Sequence, residues 1–335
     1  MKRKRENILA QSEVCEEEET EKKAKKRMLV FLLLGFFSCL IGVCLLLYPW
    51  VSNYLYEKQA KTEITAYTEL SEELGEDQAE DLIRSAREYN EALAADQTRY
   101  VDPFNTSEFD PTYAQDYRTL LMLSDSGVMG YVEIPSISVY LPVFHGTDSD
   151  TLLAGIGHMQ GSSLPVGGEG THAVLTGHSG LTGAKMFTDL NQLEVGDYFY
   201  FHILDETLAY QVISVTTVLP NVVEDLRIKE GEDRMTLVTC TPYGVNSHRL
   251  LVTGTRVEYS EEIYEESQEE KKPVTGSTWM KSYMKAVVLG IVISLFAFFM
   301  IFFLHWEIAG HRKENRKRTE RKRDKRSVTK DPRES

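Results

Sequence analysis

Cysteine is scarce in this sequence of 335 residues, and basic residues are fewer than acidic ones. The chain has only four cysteines, at positions 15, 39, 44 and 240. Its 51 acidic residues outnumber its 37 Lys and Arg residues, which leaves a formal net charge of −14. So acidic a chain argues against nucleic acid as a partner, because phosphates bind basic surfaces. We find no internal repeat and no EF-hand loop, although the acidity leaves another type of calcium site open.

Charged residues are missing altogether from two long apolar runs. Residues 28–48 contain 21 residues without a charge, and residues 286–304 contain 19. Each run is long enough to cross the roughly 30 Å hydrocarbon core of a membrane as a helix. A cleaved signal peptide is the alternative for the first run, but its apolar segment would be only about 7–15 residues long. Trp50 lies two residues after this run, and an interfacial Trp is typical of a membrane boundary. We therefore predict two spanning helices.

Basic residues flank the two runs on their outer sides. Five of the six residues 22–27 are Lys or Arg, and residues 305–335 contain 12 more. Because the cytoplasmic flanks of membrane spans carry an excess of Lys and Arg, both termini are predicted to be cytoplasmic. The residues between the runs would then lie outside the cell. A basic tail beside a span fits anionic lipid headgroups better than nucleic acid.

The residues between the runs change character along the chain. Residues 51–97 are rich in helix formers and have a loose 3.6-residue apolar period, which predicts helix. Residues 98–116 contain two Asp-Pro pairs, which favour extended or turn geometry. From Gly130 to Tyr259, short alternating segments are separated by Gly and Pro turns, which indicates a β-barrel or a β-sandwich. Residues 260–284 read as a flexible acidic stalk.

One cysteine, Cys240, lies outside the cell and outside the runs in this topology. Cys15 precedes the first run, whereas Cys39 and Cys44 lie within it. Cys240 therefore has no partner for an intramolecular disulfide, which leaves intermolecular pairing or a reactive thiol. A neighbouring imidazolium or guanidinium favours the reactive thiolate, and Arg249 follows nine residues later. Cys240, a histidine and Arg249 would supply a nucleophile, a proton carrier and an oxyanion donor. A buried strand-end cysteine with a surface arginine is the alternative.

Among the histidines between the runs, His178 has the most distinctive context. It lies in LTGHSG, just after a predicted strand, where glycine permits tight backbone geometry and the close approach of a substrate. The string resembles the nucleophile elbow of serine hydrolases, but the second glycine of G-x-S-x-G is misplaced. A zinc site of His172, His178 and Cys240 is another alternative, although it lacks close ligand spacing. The remaining histidines of this region are His145, His158, His202 and His248.

The residues from Gly130 to Tyr259 resemble the sortase family, most of all its class C, the pilus-assembling transpeptidases of Gram-positive bacteria. The resemblance is carried by GYVEIPSISVYLPVFHG, GHSGLTGAKMFTDLNQLEVGDYFY and TLVTCTPYGVNSHRLLVTGTR, of which the last is long and specific. It implies a mainly β fold: a sortase-type eight-stranded β-barrel with N-terminal helices and a lid, flanked by two transmembrane helices.

The resemblance also implies roles for three residues. Cys240 would be the nucleophile, His178 the general acid and base, and Arg249 the residue that orients the substrate or stabilises the oxyanion. Pilus sortases often have an arginine directly after the histidine, where this sequence has Ser179. We expect this departure to alter the local charge and to leave the three roles unchanged.

A lid over the site is a further implication of the resemblance. Class C relatives anchor their lid with an Asp-Pro-aromatic triplet, which Asp102, Pro103 and Phe104 match. Asp102 would pair with a cation and Phe104 would shield Cys240, whereas an ordinary polar loop is the alternative. The predicted segments are the cytoplasmic residues 1–27, a span at 28–48, helices at 51–97, the lid at 98–116, the catalytic barrel at 117–259, the stalk at 260–284, a span at 286–304 and the cytoplasmic tail 305–335.

The function implied by the resemblance is that of a membrane-anchored cysteine transpeptidase. It would cleave an LPxTG-like sorting signal through a thioacyl-enzyme and join pilin subunits by isopeptide bonds to lysine, without a cofactor. Its partners would be pilins and the membrane, and not nucleic acid. Two alternatives remain at this point: a wall-anchoring sortase that uses a peptidoglycan amine as acceptor, and a membrane-tethered binding or sensor domain without activity.

Overall fold

The chain folds into apolar helices near its ends and a β-barrel between them. The computed structural model describes residues 2–95, 117–181, 183–269, 272, 281, 283–301, 303 and 306. These residues divide into two compact units, one from the two chain ends and one spanning Leu47–Tyr283. The predicted lid triplet at residues 102–104 lies outside the described residues.

Two helices precede the barrel. Helix α1 extends over Lys2–Glu73 and includes the first apolar run, and α2 extends over Glu76–Ala95. The sequence predicts helices over residues 51–97, and the structure divides this region at Gly75. The part of α1 from Gly35 onward contains a window long and apolar enough to cross a membrane, and none of that window is buried against protein. A buried core helix would lack such exposure, so this feature suggests membrane anchoring.

Eight strands form a closed barrel in the order β1-β2-β3-β4-β7-β8-β6-β5. Neighbouring strands are antiparallel except for the parallel pairs β2–β3 and β4–β7. A short helix α3, Ser149–Ala154, joins β2 to β3. The strands are β1 Val128–Ile134, β2 Val139–His145, β3 Ile156–His158, β4 Thr171–Thr176, β5 Tyr198–Ile203, β6 Glu206–Val218, β7 Asp233–Thr241 and β8 His248–Val257.

One apolar core joins the barrel to the two helices. Inward side chains such as Val132, Phe201 and Leu237 are fully buried, and Ala86 of α2 belongs to the same cluster. Burial of this apolar surface is the main force that holds the elements together. The alternating pattern of the sequence left a barrel or a sandwich open, and the structure confirms the barrel that the resemblance implied.

Polar contacts fix α1 along the barrel. Five residues beyond the apolar run, Asn53 Oδ1 accepts a hydrogen bond from the backbone N–H of Lys185 at 2.7 Å. Further along, the buried Tyr67 hydroxyl donates to Met129 O and accepts from the N–H of Leu204. Residues 53 and 67 thus contact different loops of the barrel, which fixes the direction of the helix against it.

The C-terminal end of the barrel departs from the sequence-based expectation. Residues 260–284 were expected to be a flexible stalk, but Glu261–Glu269 form helix α4. Tyr264 and Gln268 of this helix donate hydrogen bonds to the carboxylate of Glu133 in β1. The expectation of flexibility is therefore wrong for α4, because the partners that order it are distant in sequence. Among the described residues, a further helix, α5, extends over Tyr283–Ile301 and is also apolar enough to cross a membrane.

Candidate active site

Strands β7 and β8 place Cys240 directly opposite Arg249. The two residues are paired in the antiparallel ladder, one step before the loop that joins the strands. Side chains of directly paired residues lie on the same face of a sheet, with Cβ atoms about 4.5–5.5 Å apart. The next pair, Thr241 with His248, lies on the other face because side chains alternate along a strand. Cys240 and Arg249 therefore share one face, and His248 points away from it.

Strand β4 brings His178 to the other side of Cys240. It is parallel to β7, and the last pair of this ladder is Thr176 with Val238. Beyond that pair, Gly177 N–H donates to Val238 O at 3.0 Å. His178 and Cys240 each lie two residues after the last pair, on adjacent strands that run in the same direction. The fold therefore places residues 178, 240 and 249 at the ends of three neighbouring strands, at one end of the barrel.

The backbone around His178 is held tightly. A Cβ atom on Gly177 would lie 2.5 Å from Ile156 and 2.7 Å from the ring of Phe187, so only glycine fits there. The N–H of Phe187 donates to His178 O at 3.1 Å, which closes the loop after β4 on itself. Thr188 Oγ1 accepts from the N–H of Gly180 within the same loop. These contacts leave little freedom for the backbone that carries the imidazole.

The electrostatic surroundings differ between the imidazole and the guanidinium. Partial burial lowers the pKa of His178 below its usual value of 6.5, so the neutral imidazole dominates at pH 7. A neutral imidazole is able to accept a proton from a thiol. Arg249 Nη1 donates to the carbonyl oxygens of Asn246 and His248, both at 3.3 Å, which holds its charged group beside the β7–β8 loop. Cys240 is partly exposed, as a nucleophile must be.

Four of the other histidines make hydrogen bonds that belong to the framework of the fold. In each case both ring nitrogens face protein oxygens, so the ring is already engaged as a structural group. The partners are Gly127 O and Leu120 O for His145, Tyr117 Oη and Ser163 O for His158, Arg227 O and Thr236 Oγ1 for His172, and Thr207 Oγ1 and Glu133 Oε2 for His202.

The zinc alternative is wrong on geometric grounds. His172 pairs with Arg234, and Cys240 lies six residues further along the same strand. At about 3.3 Å per residue the two are roughly 20 Å apart, far beyond the span of one zinc ion. Among the described residues, no group of three or more His, Cys, Asp or Glu side chains is arranged to hold a metal.

Sequence reasoning missed one residue that positions the site. Thr239, one residue before Cys240, is 2% exposed and donates from Oγ1 to Gly177 O at 2.7 Å. Gly177 is therefore bonded to β7 through both its N–H and its carbonyl. The TLVTC motif contains this threonine, but the sequence alone does not show that its hydroxyl is directed toward the His178 loop.

Residues 132–257 match the family described as the sortase domain. Several solved sortases are more than 40% identical to this chain and are covered almost completely by it. The chain belongs to the sortase family. Its curated relatives include a sortase A of Bacillus anthracis, 27% identical over 231 residues, which are 68% of this chain and 95% of the relative. The predicted sortase barrel of eight strands is thereby confirmed.

Solved structures similar to this sortase are sortases of class C. Sortase C of Streptococcus pneumoniae is 43% identical with a TM-score of 0.53, and the match covers 59% of this chain and 97% of that one. Sortase C-1 of Actinomyces oris is 49% identical with a TM-score of 0.51, over 55% and 99% of the two chains. Sortase C1 of Streptococcus agalactiae is 41% identical with a TM-score of 0.56, over 59% and 100%. This sortase is accordingly a cysteine transpeptidase.

Proposed function

We propose that this sortase joins pilin subunits, with Cys240 as nucleophile, His178 as general acid and base, and Arg249 as oxyanion donor. The observation that carries the proposal is the direct pairing of Cys240 with Arg249 beside the end of β4, where His178 follows. A cysteine transpeptidase needs a thiol, a proton carrier and a fixed positive charge within reach of one carbonyl. Residues 178, 240 and 249 supply those three groups.

The first half-reaction breaks the peptide bond of the sorting signal. His178 takes the thiol proton, and the Cys240 thiolate attacks the Thr–Gly carbonyl of an LPxTG-like sequence. Arg249 stabilises the negative oxygen of the tetrahedral intermediate by charged hydrogen bonds. The C–N bond then breaks, the imidazolium gives its proton to the leaving glycine amine, and a thioacyl-enzyme remains.

The second half-reaction forms the new bond. The side-chain amine of a lysine on the next pilin attacks the thioacyl carbon while His178 accepts its proton. The C–S bond breaks, the thiolate leaves, and an isopeptide bond joins the two subunits. The chemistry is complete with these residues, and no cofactor takes part in it.

Pilin as the substrate class is supported by the similar structures. The report on the Streptococcus pneumoniae relative concerns pilin substrate specificity, and another relative is a sortase C1 of pilus island 1 of group B streptococcus. Both are about 40% identical to this chain. The two apolar helices would hold the barrel outside the membrane, with both termini in the cytoplasm, where membrane-inserted pilins are accessible.

A lid formed by residues 98–116 covers this site in the proposed enzyme. Its basis is the resemblance of Asp102, Pro103 and Phe104 to the triplet of class C lids. Replacing Asp102 or Phe104 with alanine should make Cys240 react faster with a small thiol reagent, because the first change removes the charged anchor of the lid and the second removes its aromatic cover. An unchanged rate of labelling would count against a closed lid.

The proposal is tested with the full-length protein in vesicles, a sorting peptide and a pilin bearing an acceptor lysine. The wild type should form a thioacyl adduct at Cys240 and an isopeptide-linked product, both detectable by mass spectrometry. Cys240→Ala should form neither, whereas Cys39→Ala and Cys44→Ala are matched controls that should keep full activity. Product formation by Cys240→Ala would overturn the proposal.

The acceptor distinguishes pilus assembly from cell-wall anchoring. A peptidoglycan stem-peptide amine, offered in competition with the pilin lysine, should be consumed more slowly. Preference for the peptidoglycan amine would instead identify a wall-anchoring sortase. If Cys240 neither labels nor forms an adduct even in the Phe104→Ala variant, the inactive binding domain is the better description.

A further inference from the structure

A groove of about 390 Å³ lies between α1, α3 and the loop after β4. This volume falls within the range of small-molecule binding sites. The rim is apolar and open to solvent at Leu55 and Leu153, which are 57% and 55% exposed. The full lining consists of Ser52, Leu55, Tyr56, Gln59, Leu153, Leu181, Gly183 and Ala184.

Specific contacts hold the walls of this groove in place. The Tyr56 hydroxyl donates to Ala154 O at the end of α3, which fixes α3 to α1. Lys185 N–H donates to Asn53 Oδ1, which fixes the loop after β4 to α1. A Cβ atom on Gly183 would lie 2.6 Å from Ser52 Oγ, so the loop approaches the helix as closely as glycine allows. The groove is therefore a defined feature of the packing.

The groove begins close to the end of the first apolar run. That run ends at Tyr48, and a helix rises 1.5 Å per residue, so Ser52 is about 6 Å and Leu55 about 10 Å beyond it. The polar interface of a bilayer is about 5–8 Å thick on each side of the hydrocarbon core. Any tilt of α1 brings these residues nearer to the core. Ser52 thus lies at the depth of the lipid headgroups, and Leu55 lies at their outer edge.

An exposed apolar surface connects the run to the groove. Trp50, Val51, Tyr54 and Leu55 are each more than half exposed. Trp and Tyr are the residues enriched where a membrane meets water, and an isolated soluble surface would rarely expose four such side chains together. The groove is thus continuous with a surface of membrane-anchor character.

The chemistry of the lining favours one occupant. None of the eight lining residues is charged, and leucines supply three of them. An acyl chain needs apolar walls and no counter-charge, whereas an acidic or basic peptide would leave its charges unpaired there. The Ser52 and Gln59 side chains supply polar groups of the kind that a headgroup or a glycerol ester contacts.

We propose that this groove binds an acyl chain of a phospholipid from the adjoining membrane leaflet. The bound lipid holds the end of the barrel that carries the loop after β4 against the bilayer. Since Leu181 is three residues from His178, lipid binding also fixes the distance of the candidate active site from the membrane. This inference does not depend on the reaction proposed above.

The test uses the full-length protein in phosphatidylglycerol vesicles with the photoreactive amino acid p-benzoylphenylalanine in place of Leu153. Illumination should add the mass of a phosphatidylglycerol to the peptide that contains position 153. The matched control carries the same group in place of Leu70, an exposed leucine of α1 about 33 Å beyond Tyr48. We expect a lipid adduct at 153 and at least about a tenfold lower yield at 70, because position 70 is beyond the reach of the bilayer.

Other outcomes overturn the proposal. A crosslink from position 153 to a second copy, or to another segment of this chain, would show that protein fills the groove. Equal lipid adducts at 153 and 70 would show unspecific contact, and no adduct at either would show that lipid does not reach the groove. Circular dichroism of both proteins checks that they fold. Leu55→Gln in the 153-labelled protein should lower the adduct yield roughly fivefold, as expected when one leucine is lost from an apolar contact.

Discussion

At the scale of residues, the candidate site depends on the neighbours of its chemical groups. Cys240 and Arg249 are positioned by their own strands, but His178 lies just beyond the end of β4. Its place is set by Gly177, whose carbonyl accepts from the buried hydroxyl of Thr239. Thr239 is therefore a positioning residue that acts through the backbone of the His178 loop.

Replacing Thr239 with valine tests this role. The substitution keeps the shape, removes the hydroxyl and leaves Gly177 O without its donor, at a cost of about 1 kcal/mol in stability. We expect kcat for sorting-peptide cleavage to fall about tenfold or more with little change in KM, because the imidazole is less well placed. Thr239→Ser should restore kcat, since it restores the donor. Equal kcat values for the valine and serine variants would contradict the role.

The sequence predicted the chemical groups better than their supports. Cys240, His178 and Arg249 stand in motifs that are specific enough to be recognised. Thr239 stands in the same motif as Cys240, yet its hydrogen bond to Gly177 joins residues 62 positions apart. A local sequence pattern does not indicate a contact between residues so distant in the chain. Whether the three groups act as expected stays a prediction.

At the scale of elements, helix α4 is fastened to the barrel through the carboxylate of Glu133 and through Tyr200, whose hydroxyl lies 3.2 Å from Ser267 Oγ. Glu133 of β1 accepts hydrogen bonds from Tyr264 and Gln268 of α4 and pairs with His202 of β5. Burial alone would raise the pKa of Glu133, but the hydrogen bonds from His202, Gln268 and Tyr264 outweigh it and hold the pKa below 4.5. The ionised carboxylate is thus the form that binds α4.

Gln268→Ala should loosen α4 without unfolding the barrel. Loss of one hydrogen bond to a partly buried carboxylate should lower the free energy of unfolding by about 1 kcal/mol, after allowance for solvent screening. Hydrogen exchange should accelerate in residues 261–269. Glu266→Ala, an exposed change in the same helix, is the control and should leave exchange unaltered.

The attachment of α4 should also depend on pH in a defined direction. Because the pKa of Glu133 is lower in the folded state, its stabilisation is fully present above about pH 4.5. It is lost as the pH falls through the folded pKa. The sequence suggested a flexible stalk here because the acidic composition is visible locally, whereas Glu133 is more than 130 residues away.

At the scale of the whole molecule, two buried histidines make the barrel sensitive to acid. Burial lowers the pKa of His158 to about 3 and that of His172 to about 4. Both are neutral in the folded state at pH 5, whereas in the unfolded chain their pKa is near 6.5 and they bind protons. Between the folded pKa values and pH 6.5, the unfolded state therefore binds more protons than the folded state. The free energy of unfolding consequently falls as the pH is lowered below 6.5.

We expect the free energy of unfolding to fall by about 2 kcal/mol per histidine between pH 7 and pH 5. Thermal or urea unfolding of the full-length protein in detergent, measured at several pH values, gives the slope. In His158→Gln, the slope of the free energy of unfolding against pH should be roughly half that of the wild type over this range. This holds even when the variant is less stable than the wild type at every pH. A slope identical to that of the wild type would show that His158 is protonated in the folded state.

The overall architecture was predictable to the extent that its signals are local. Alternating apolar residues and Gly or Pro turns identify most of the strands and, with the resemblance, the barrel. Strand β3 gives no such signal, because it has only three residues and is followed at once by a stretch rich in turn residues. It is nevertheless needed, since it joins β2 to β4 and closes the barrel.

Closure of the barrel limits how a peptide substrate is recognised. In an open sheet, an extended peptide can add itself as a further strand along a free edge. The eight strands described here form a continuous ring, so their backbone groups are already paired with one another. We therefore expect a peptide substrate to be distinguished by side chains on the loops at the rim. Exchanging those loops is then the route to a different peptide preference, with the strands left unchanged.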